Sequence, residues 1–167
     1  MINEMKKVSF VIPCYRSEKT LEHVVTEINE TMEKLHMYEH EIILVNDCSP
    51  DGTFAVIRRL CEAHTNIRGI GFARNFGQHS ALMAGIRASR GEIVVCLDDD
   101  GQTPAEEAPK LIEAVENGSD VAYARYDHKQ HSAFRNFGTW LNETMARVMI
   151  GKPKDLYVSS YFAMRRF

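Results

Sequence analysis

Short apolar runs alternate along the chain with longer segments whose apolar residues recur every three or four positions. The run VSFVIP (8–13) reads as a short strand stopped by Pro13. From Leu21 onward, Val24, Val25, Ile28, Met32 and Leu35 fall on one face of a helix. EIILVN (41–46) is a continuous apolar run of buried-strand type, and CSPDGT (48–53) is a turn rich in helix and strand breakers. Thr53 is placed to cap a helix carrying Val56, Ile57, Leu60 and Cys61 on one side. IRGIGF (67–72) predicts a third strand, and 78–90 a third helix with Leu82, Met83 and Ile86 toward the core. EIVVCL (92–97) is a fourth strand; Pro104 then opens a helix at its first position, followed by Leu111, Ile112 and Val115. DVAYAR (120–125) predicts a fifth strand, about 134–149 a further helix, and YVSSYFAM (157–164) a closing strand.

Strands alternating with helices through short connections predict an α/β fold, a mostly parallel sheet flanked by helices on both faces. Residues 1–167 read as a single domain, without repeats, low-complexity tracts or an internal linker. In such sheets ligands gather at the carboxyl ends of the strands, near a topological switch point. Pro13–Arg16, Asn46–Asp51 and Asp98–Asp100 each follow directly from a strand, so they are expected to meet along one edge.

Composition narrows the function. The 44% hydrophobic and 26% charged residues are those of a globular chain, and a net charge of -3 lacks the basic excess of a nucleic-acid binder. Cys14, Cys48, Cys61 and Cys96 show no zinc-type spacing and read as reduced, partly buried thiols of an intracellular protein. MINEMKKVSF lacks the apolar core of a signal peptide, and no apolar run approaches the ~20 residues of a membrane span. The chain is therefore expected to be soluble. It stops on AMRRF without turn or capped helix, which suggests truncation before a further region.

The chemistry concentrates in EIVVCLDDDGQTPAE (92–106), where an apolar strand ends in Asp98, Asp99 and Asp100. Three like charges in succession repel one another, and three readings address this. One is a solvated turn favouring the following helix N-terminus, for which a single acid would suffice. Another is the DxDGT nucleophile motif of haloacid-dehalogenase-type phosphatases; Asp98, Asp100 and Gly101 fit, but Gln102 stands in the threonine's place. The third is a DxD metal site. In an extended segment Asp98 and Asp100 point one way and Asp99 the other, and two carboxylates on one side suit Mg2+ or Mn2+, which also hold a diphosphate.

The neighbours of the acidic triplet extend the third reading. VSFVIPCYRSEKTL, ILVNDCSPDGT, ARNFGQHSALMAG and VVCLDDDGQTPAE occur in this order and spacing. Together they resemble the GT-A-fold, family 2 inverting glycosyltransferases, and within them the polyprenyl-phosphate branch that includes dolichol-phosphate mannose synthase and undecaprenyl-phosphate sugar transferases. The resemblance implies that Pro13 and Tyr15 line the nucleotide base, Glu18 lies near base or ribose, and Asp47 accepts from uracil N3–H. It implies that Arg74 and Asn75 contact the nucleotide side of the cleft, that Gln102 completes the donor site, and that Asp98 and Asp100 hold the metal, Asp98 also supporting the ribose. Arg125 and Arg135 match phosphate-binding positions of the branch, and Asp155 its acidic residue near the acceptor. Asn46 stands where the family usually has a second acid, and Cys48 where it commonly has glycine. Simpler readings stay open: Tyr15 as a core aromatic, Arg125 and Arg135 as solvated cations flanking the polar stretch YDHKQHSAFR (126–135), and Asp155 as a loop aspartate. Gly69 and Gly71 begin a dinucleotide fingerprint, but Arg74 occupies the third glycine's place, and no P-loop is present.

The implied reaction is transfer of sugar, with inversion, from a nucleotide-sugar donor (a UDP-sugar) to a lipid phosphate at the cytoplasmic side of a membrane, with a homo-oligomer compatible. A family 2 enzyme using a glycan acceptor and a nucleotide-sugar binder without turnover are the alternatives.

Overall fold

The computed structural model describes residues 5–101, 103–125 and 159–166. The predicted helix at 134–149 and the first part of the predicted strand 157–164 lie outside those residues. The described chain contains β1 (Lys6–Cys14), α1 (Leu21–Glu33), β2 (Tyr38–Asn46), α2 (Thr53–Ala63), β3 (Ile67–Gly71), α3 (Gln78–Ala88), β4 (Ile93–Cys96), α4 (Ala108–Glu116), β5 (Val121–Tyr123) and β6 (Phe162–Arg165).

The six strands form one sheet in the order β3-β2-β1-β4-β6-β5. β1 pairs in parallel with both β2 and β4, and β2 with β3, whereas β6 runs antiparallel to β4 and β5. From β1 the chain moves outward through β2 and β3, then crosses back to place β4 on the other side. The β1/β4 junction is thus the switch point, and the loops leaving these two strands diverge to leave a crevice at their carboxyl ends.

Strand parity sorts the core into two layers. Phe10, Ile12, Ile42, Leu44 and Val95 face α1, α2 and α4, packing with Val24, Ile28, Ile57 and Ile112. Val11, Ile43, Val45, Val94 and Cys96 face the other way, toward Ala81 of α3. Burial on both faces explains why the central strands read as unbroken apolar runs. One polar cluster sits among them. Glu41 accepts from Ser9 Oγ at 2.7 Å and from the Arg90 N–H at 2.6 Å, and pairs with Arg68 at 3.0 Å. Burial pushes the Glu41 carboxyl up, but these donors and the nearby cations outweigh it and hold it below its ordinary value.

The structure corrects three expectations. Thr53 is the first residue of α2 rather than its cap; Asp51 accepts the Thr53 N–H at 3.2 Å and the Thr53 hydroxyl at 2.6 Å. Pro104 precedes a 3-10 turn, Ala105–Glu107, and the α-helix begins only at Ala108. On α3 the fully buried positions are Ala81 and Gly85; Leu82 and Ile86 pack partly buried against the core as expected, while Met83 is 54% exposed. The cause is distance: a Cβ on Gly85 would lie 2.3 Å from Val11 Cγ1, so the helix rests on the sheet through its smallest residues. Cys14 and Cys96 are buried, Cys61 is partly so and Cys48 is exposed, all as free thiols.

Candidate active site

Each central strand delivers a short polar loop to the crevice. β1 leads into Tyr15, Arg16 and Ser17; β2 into Asp47; β4, through Leu97, into the aspartate triplet. Hydrogen bonds that continue the sheet keep the strand exits level: Asp47 N–H donates to Cys14 O at 3.1 Å, Phe72 N–H to Asn46 O at 2.9 Å, and Leu97 N–H to Val11 O at 3.3 Å. The crevice has a volume of about 450 Å3. Pro13, Cys14 and Tyr15 form one wall, Asp98, Asp99 and Asp100 another, and Asp47, Asn75, Gly77 and Gln78 close it from the β2 and α3 side.

The carboxylates have distinct surroundings. Asp47 is 3% exposed, with one oxygen accepting the Phe76 N–H at 2.7 Å and the other the Gly77 N–H at 2.8 Å. It thereby anchors the approach to α3, where Gly77 adopts a φ of 89° that a side chain would resist. Asp98 accepts from Gln78 Nε2 at 2.8 Å on one oxygen and from Ser160 Oγ on the other. Asp99 turns away from these partners and accepts the Tyr15 N–H at 3.0 Å and the Ser17 hydroxyl on the same oxygen. Burial pushes the Asp99 carboxyl up; the two donors pull it down, and the adjacent Asp98 charge adds to the rise, leaving it above its ordinary value. Asp100 is exposed at the rim.

A second acidic group braces the floor of the loops. Asp51 accepts from Ser49 and Thr53, and although burial opposes it, these donors hold its carboxyl down at about 2. Cys48 and Arg16 both have left-handed backbones, with φ of 52° and 61°. The left-handed turn at Cys48 shows what a glycine would do there without strain.

A mostly parallel sheet thus carries an acidic turn at the switch point of its strand ends. The Glycosyl transferase family 2 description matches residues 9–167. The chain belongs to glycosyltransferase family 2. It is 32% identical to the undecaprenyl-phosphate 4-deoxy-4-formamido-L-arabinose transferase of Aeromonas hydrophila, over 98% of this chain and 49% of that protein. With the enzyme of the same description from Pseudomonas fluorescens it shares 38% identity, over 95% of this chain and 47% of that one. The chain thus spans about half the length of these relatives. Among solved structures it superimposes on a Pyrobaculum calidifontis mannosyltransferase in complex with GDP-Man and Mn2+, with a TM-score of 0.68 at 21% identity, covering 96% of this chain and 45% of that one. A Mycobacterium tuberculosis glucosyl-3-phosphoglycerate synthase with Mn2+, UDP-Glc and phosphoglyceric acid gives a TM-score of 0.72 at 21% identity, covering 96% and 57%. These likenesses establish the GT-A fold.

In this family 2 chain the sequence-derived candidates separate into three groups. Pro13, Tyr15, Asp47, Asn75, Asp98 and Asp100 do line one crevice. Glu18 and Arg74 lie elsewhere: Glu18 accepts the Gly52 N–H at 2.8 Å, and the Arg74 guanidinium stacks 4.6 Å from the Phe76 ring centre. Arg125 is exposed just beyond β5 and does not line the crevice. Gln102, Arg135 and Asp155 fall outside the described residues. The pattern missed Gln78 and Ser160, which hold Asp98, and Ser17 and Thr20, which hold Asp99. Gln78 sat in a quoted motif without a role, and nothing in the sequence pointed from Ser160 to Asp98.

Proposed function

We propose that this chain is the nucleotide-sugar-binding catalytic part of a divalent-metal-dependent, inverting glycosyltransferase whose acceptor is a polyprenyl phosphate. The observation that carries the donor half is the crevice itself. An exposed aromatic, Tyr15, stands on one side of an acidic turn and amide-bearing Asn75 and Gln78 on the other, at the switch point of a GT-A sheet. The names of relatives at 32% and 38% identity support the acceptor half.

The donor set suits a hard divalent ion. Among the described residues no three His, Cys, Asp or Glu groups gather tightly enough to hold a metal alone. Asp98 and Asp100 offer two carboxylates, and each Asp98 oxygen, although it accepts one hydrogen bond, keeps a second lone pair. Mg2+ or Mn2+ bound by one or two carboxylates, with diphosphate and water completing the shell, matches such a set. When bound, the ion supplies positive charge against the diphosphate as it departs.

The chain's own residues do the rest. Tyr15, 45% exposed, gives the base a surface to stack on. Asp47 uses one of its remaining lone pairs for a uracil N3–H, in a position fixed by the Phe76 and Gly77 amides. Gln78 and Ser160 hold Asp98 in one orientation. A phosphate monoester has a second pKa of about 6, so a polyprenyl phosphate is already anionic at neutral pH and needs orientation more than deprotonation. Arg125 and Arg135 attract that phosphate, and Asp155 orients it for in-line attack at the anomeric carbon. Such an acceptor places the full-length protein at the cytoplasmic side of a membrane; among the described residues no helix is long and apolar enough to cross one.

The test is transfer of label from a UDP-sugar by the full-length gene product. Label entering the organic phase on undecaprenyl phosphate, dependent on Mg2+ or Mn2+, is the expected result. Label reaching only a water-soluble glycan would refute the acceptor assignment, and no response to any nucleotide diphosphate would refute the donor site.

A further inference from the structure

We propose that Asp99, the middle acid of the triplet, is a positioning residue that latches the acidic turn to the β1–α1 loop and so fixes the spacing between the two walls of the crevice. This rests on the donor-site reading above. Asp99 grips the loop from two directions. Its carboxylate accepts the Tyr15 N–H at 3.0 Å and the Ser17 hydroxyl, and its backbone carbonyl accepts the Thr20 hydroxyl at 2.6 Å.

The residue enclosed by this grip is the strained one. Arg16, between the two carboxylate contacts, has a φ of 61°. A left-handed backbone is unfavourable for a non-glycine residue and persists only where the surroundings over-determine it. Here Tyr15 and Ser17 are pinned by Asp99 on either side, while the Arg16 N–H donates to Ser49 Oγ at 2.8 Å. The brace continues inward. The Ser17 N–H donates to Thr53 Oγ1 at 2.8 Å, and that hydroxyl donates to Asp51 at 2.6 Å. Ser17 is 2% exposed, so this linkage runs beneath the crevice rather than across solvent.

The division of labour within the triplet follows. Asp98 is oriented by Gln78 and Ser160, Asp100 stands exposed at the rim, and Asp99 faces the loop that carries Tyr15. A donor held at its base by the Tyr15 side and at its diphosphate by the Asp98/Asp100 side needs the two walls at one separation. Asp99, itself part of the crevice wall, sets that separation through the loop it grips.

The experiment measures UDP affinity with and without Mn2+ by calorimetry, and exchange of the Tyr15 amide by NMR, in wild type and three variants. Asp99→Ala should weaken UDP about tenfold or more, by the same factor with and without Mn2+, and should speed Tyr15 amide exchange. Asp99→Asn, which keeps an acceptor oxygen, should restore most of both. Ser17→Ala should produce a smaller change that adds little when combined with Asp99→Ala. A loss confined to the Mn2+-containing titration would make Asp99 a metal ligand and overturn the proposal. So would a Tyr15 amide as well protected in Asp99→Ala as in wild type. If Asp99→Ala does not fold, Asp99→Asn and Ser17→Ala carry the same two readouts. If the wild type binds no UDP, the donor-site reading fails while the Tyr15 amide still decides the latch.

Discussion

Replacing Gly85 with alanine sets two well-defined effects against each other. Alanine in a helix interior is favoured over glycine by about 1 kcal/mol, so an exposed site would gain stability. Gly85 is not such a site. Its added Cβ would lie 2.3 Å from Val11 Cγ1 and 3.3 Å from Val45 Cγ2, both on fully buried side chains. Carbon atoms prefer about 3.5–4.0 Å, and a β-branched valine in a strand has little χ1 freedom with which to retreat. Overpacking of this kind costs about 1–3 kcal/mol, and an overlap of more than ~1 Å against a stiff neighbour belongs at the upper end. The net expectation is destabilisation by about 2 kcal/mol, or a melting temperature about 4–8 °C lower for a domain of this size. The readout is urea and thermal unfolding of Gly85→Ala, Val11→Ala and the double variant. The double variant should be markedly more stable than the sum of the single effects predicts, because each substitution relieves the other. Gly85→Ala melting at or above wild type would show that α3 does not rest on the sheet at this contact. A lifted α3 would also carry Gln78 away from its 2.8 Å bond to Asp98, so UDP affinity should fall with stability.

Four further outcomes are expected. Asp100→Asn should remove the metal-dependent part of UDP binding and leave the melting temperature unchanged; equal affinity with and without Mn2+ in the wild type would refute the metal site. Asp47→Ala should both weaken UDP and destabilise the fold, since it orphans the Phe76 and Gly77 N–H groups at about 1–3 kcal/mol each where water cannot replace the partner. An unchanged melting temperature would count against that anchoring role. Asp51 titrates at about 2 in the folded chain against an ordinary 3.8, so its stabilisation is complete above the ordinary value and is lost as pH falls toward about 2. Asp51→Asn should therefore flatten part of the acid limb of a stability–pH curve, and an identical limb would contradict the assignment. Finally, Mn2+ should raise the melting temperature more in the presence of UDP than in its absence, because two carboxylates and a diphosphate together complete the ion's shell; equal shifts would refute a shared site.

What the sequence made legible follows from what pattern can encode. Ile42 to Val45 announce a central strand because both faces of a parallel sheet are buried, and that requirement is written in composition alone. The meeting of the Tyr15, Asp47 and Asp98 loops was also legible, because the parallel strands β1, β2 and β4 send their carboxyl ends to one edge. The core face of α3 was legible only in part. Apolar bulk marks Leu82, Met83 and Ile86, yet the helix approaches the sheet so closely that only Ala81 and Gly85 fit directly against it; Leu82 and Ile86 pack partly buried against the core, and Met83 faces outward. Nor could the start of α2 be read from pattern: Thr53 is a good capping residue, yet Gly52 holds the cap position and Asp51 bonds the Thr53 N–H and hydroxyl from just outside the helix. Contacts such as Ser160 to Asp98, which span 62 residues, have no local signal at all.

The acidic triplet shows where reasoning from charge alone stops. Repulsion among Asp98, Asp99 and Asp100 suggests that something positive must offset it, and a metal is the simplest candidate. The structure supplies much of that offset without one. Asp98 is met by an amide and a hydroxyl, Asp99 by a backbone N–H and a hydroxyl, and Asp100 stands exposed, where water screens it. The Asp99 carboxyl still sits above its ordinary value, chiefly because it is buried, with the adjacent Asp98 charge a smaller contribution. Tolerance of the cluster is therefore no evidence for a cation. The proposed metal site rests instead on direction: the loop contacts engage Asp99, and Asp98 and Asp100 are the two acids left to offer hard oxygen ligands along the crevice. Substitution of Asp98 and of Asp100, set beside that of Asp99, therefore decides whether a cation binds here.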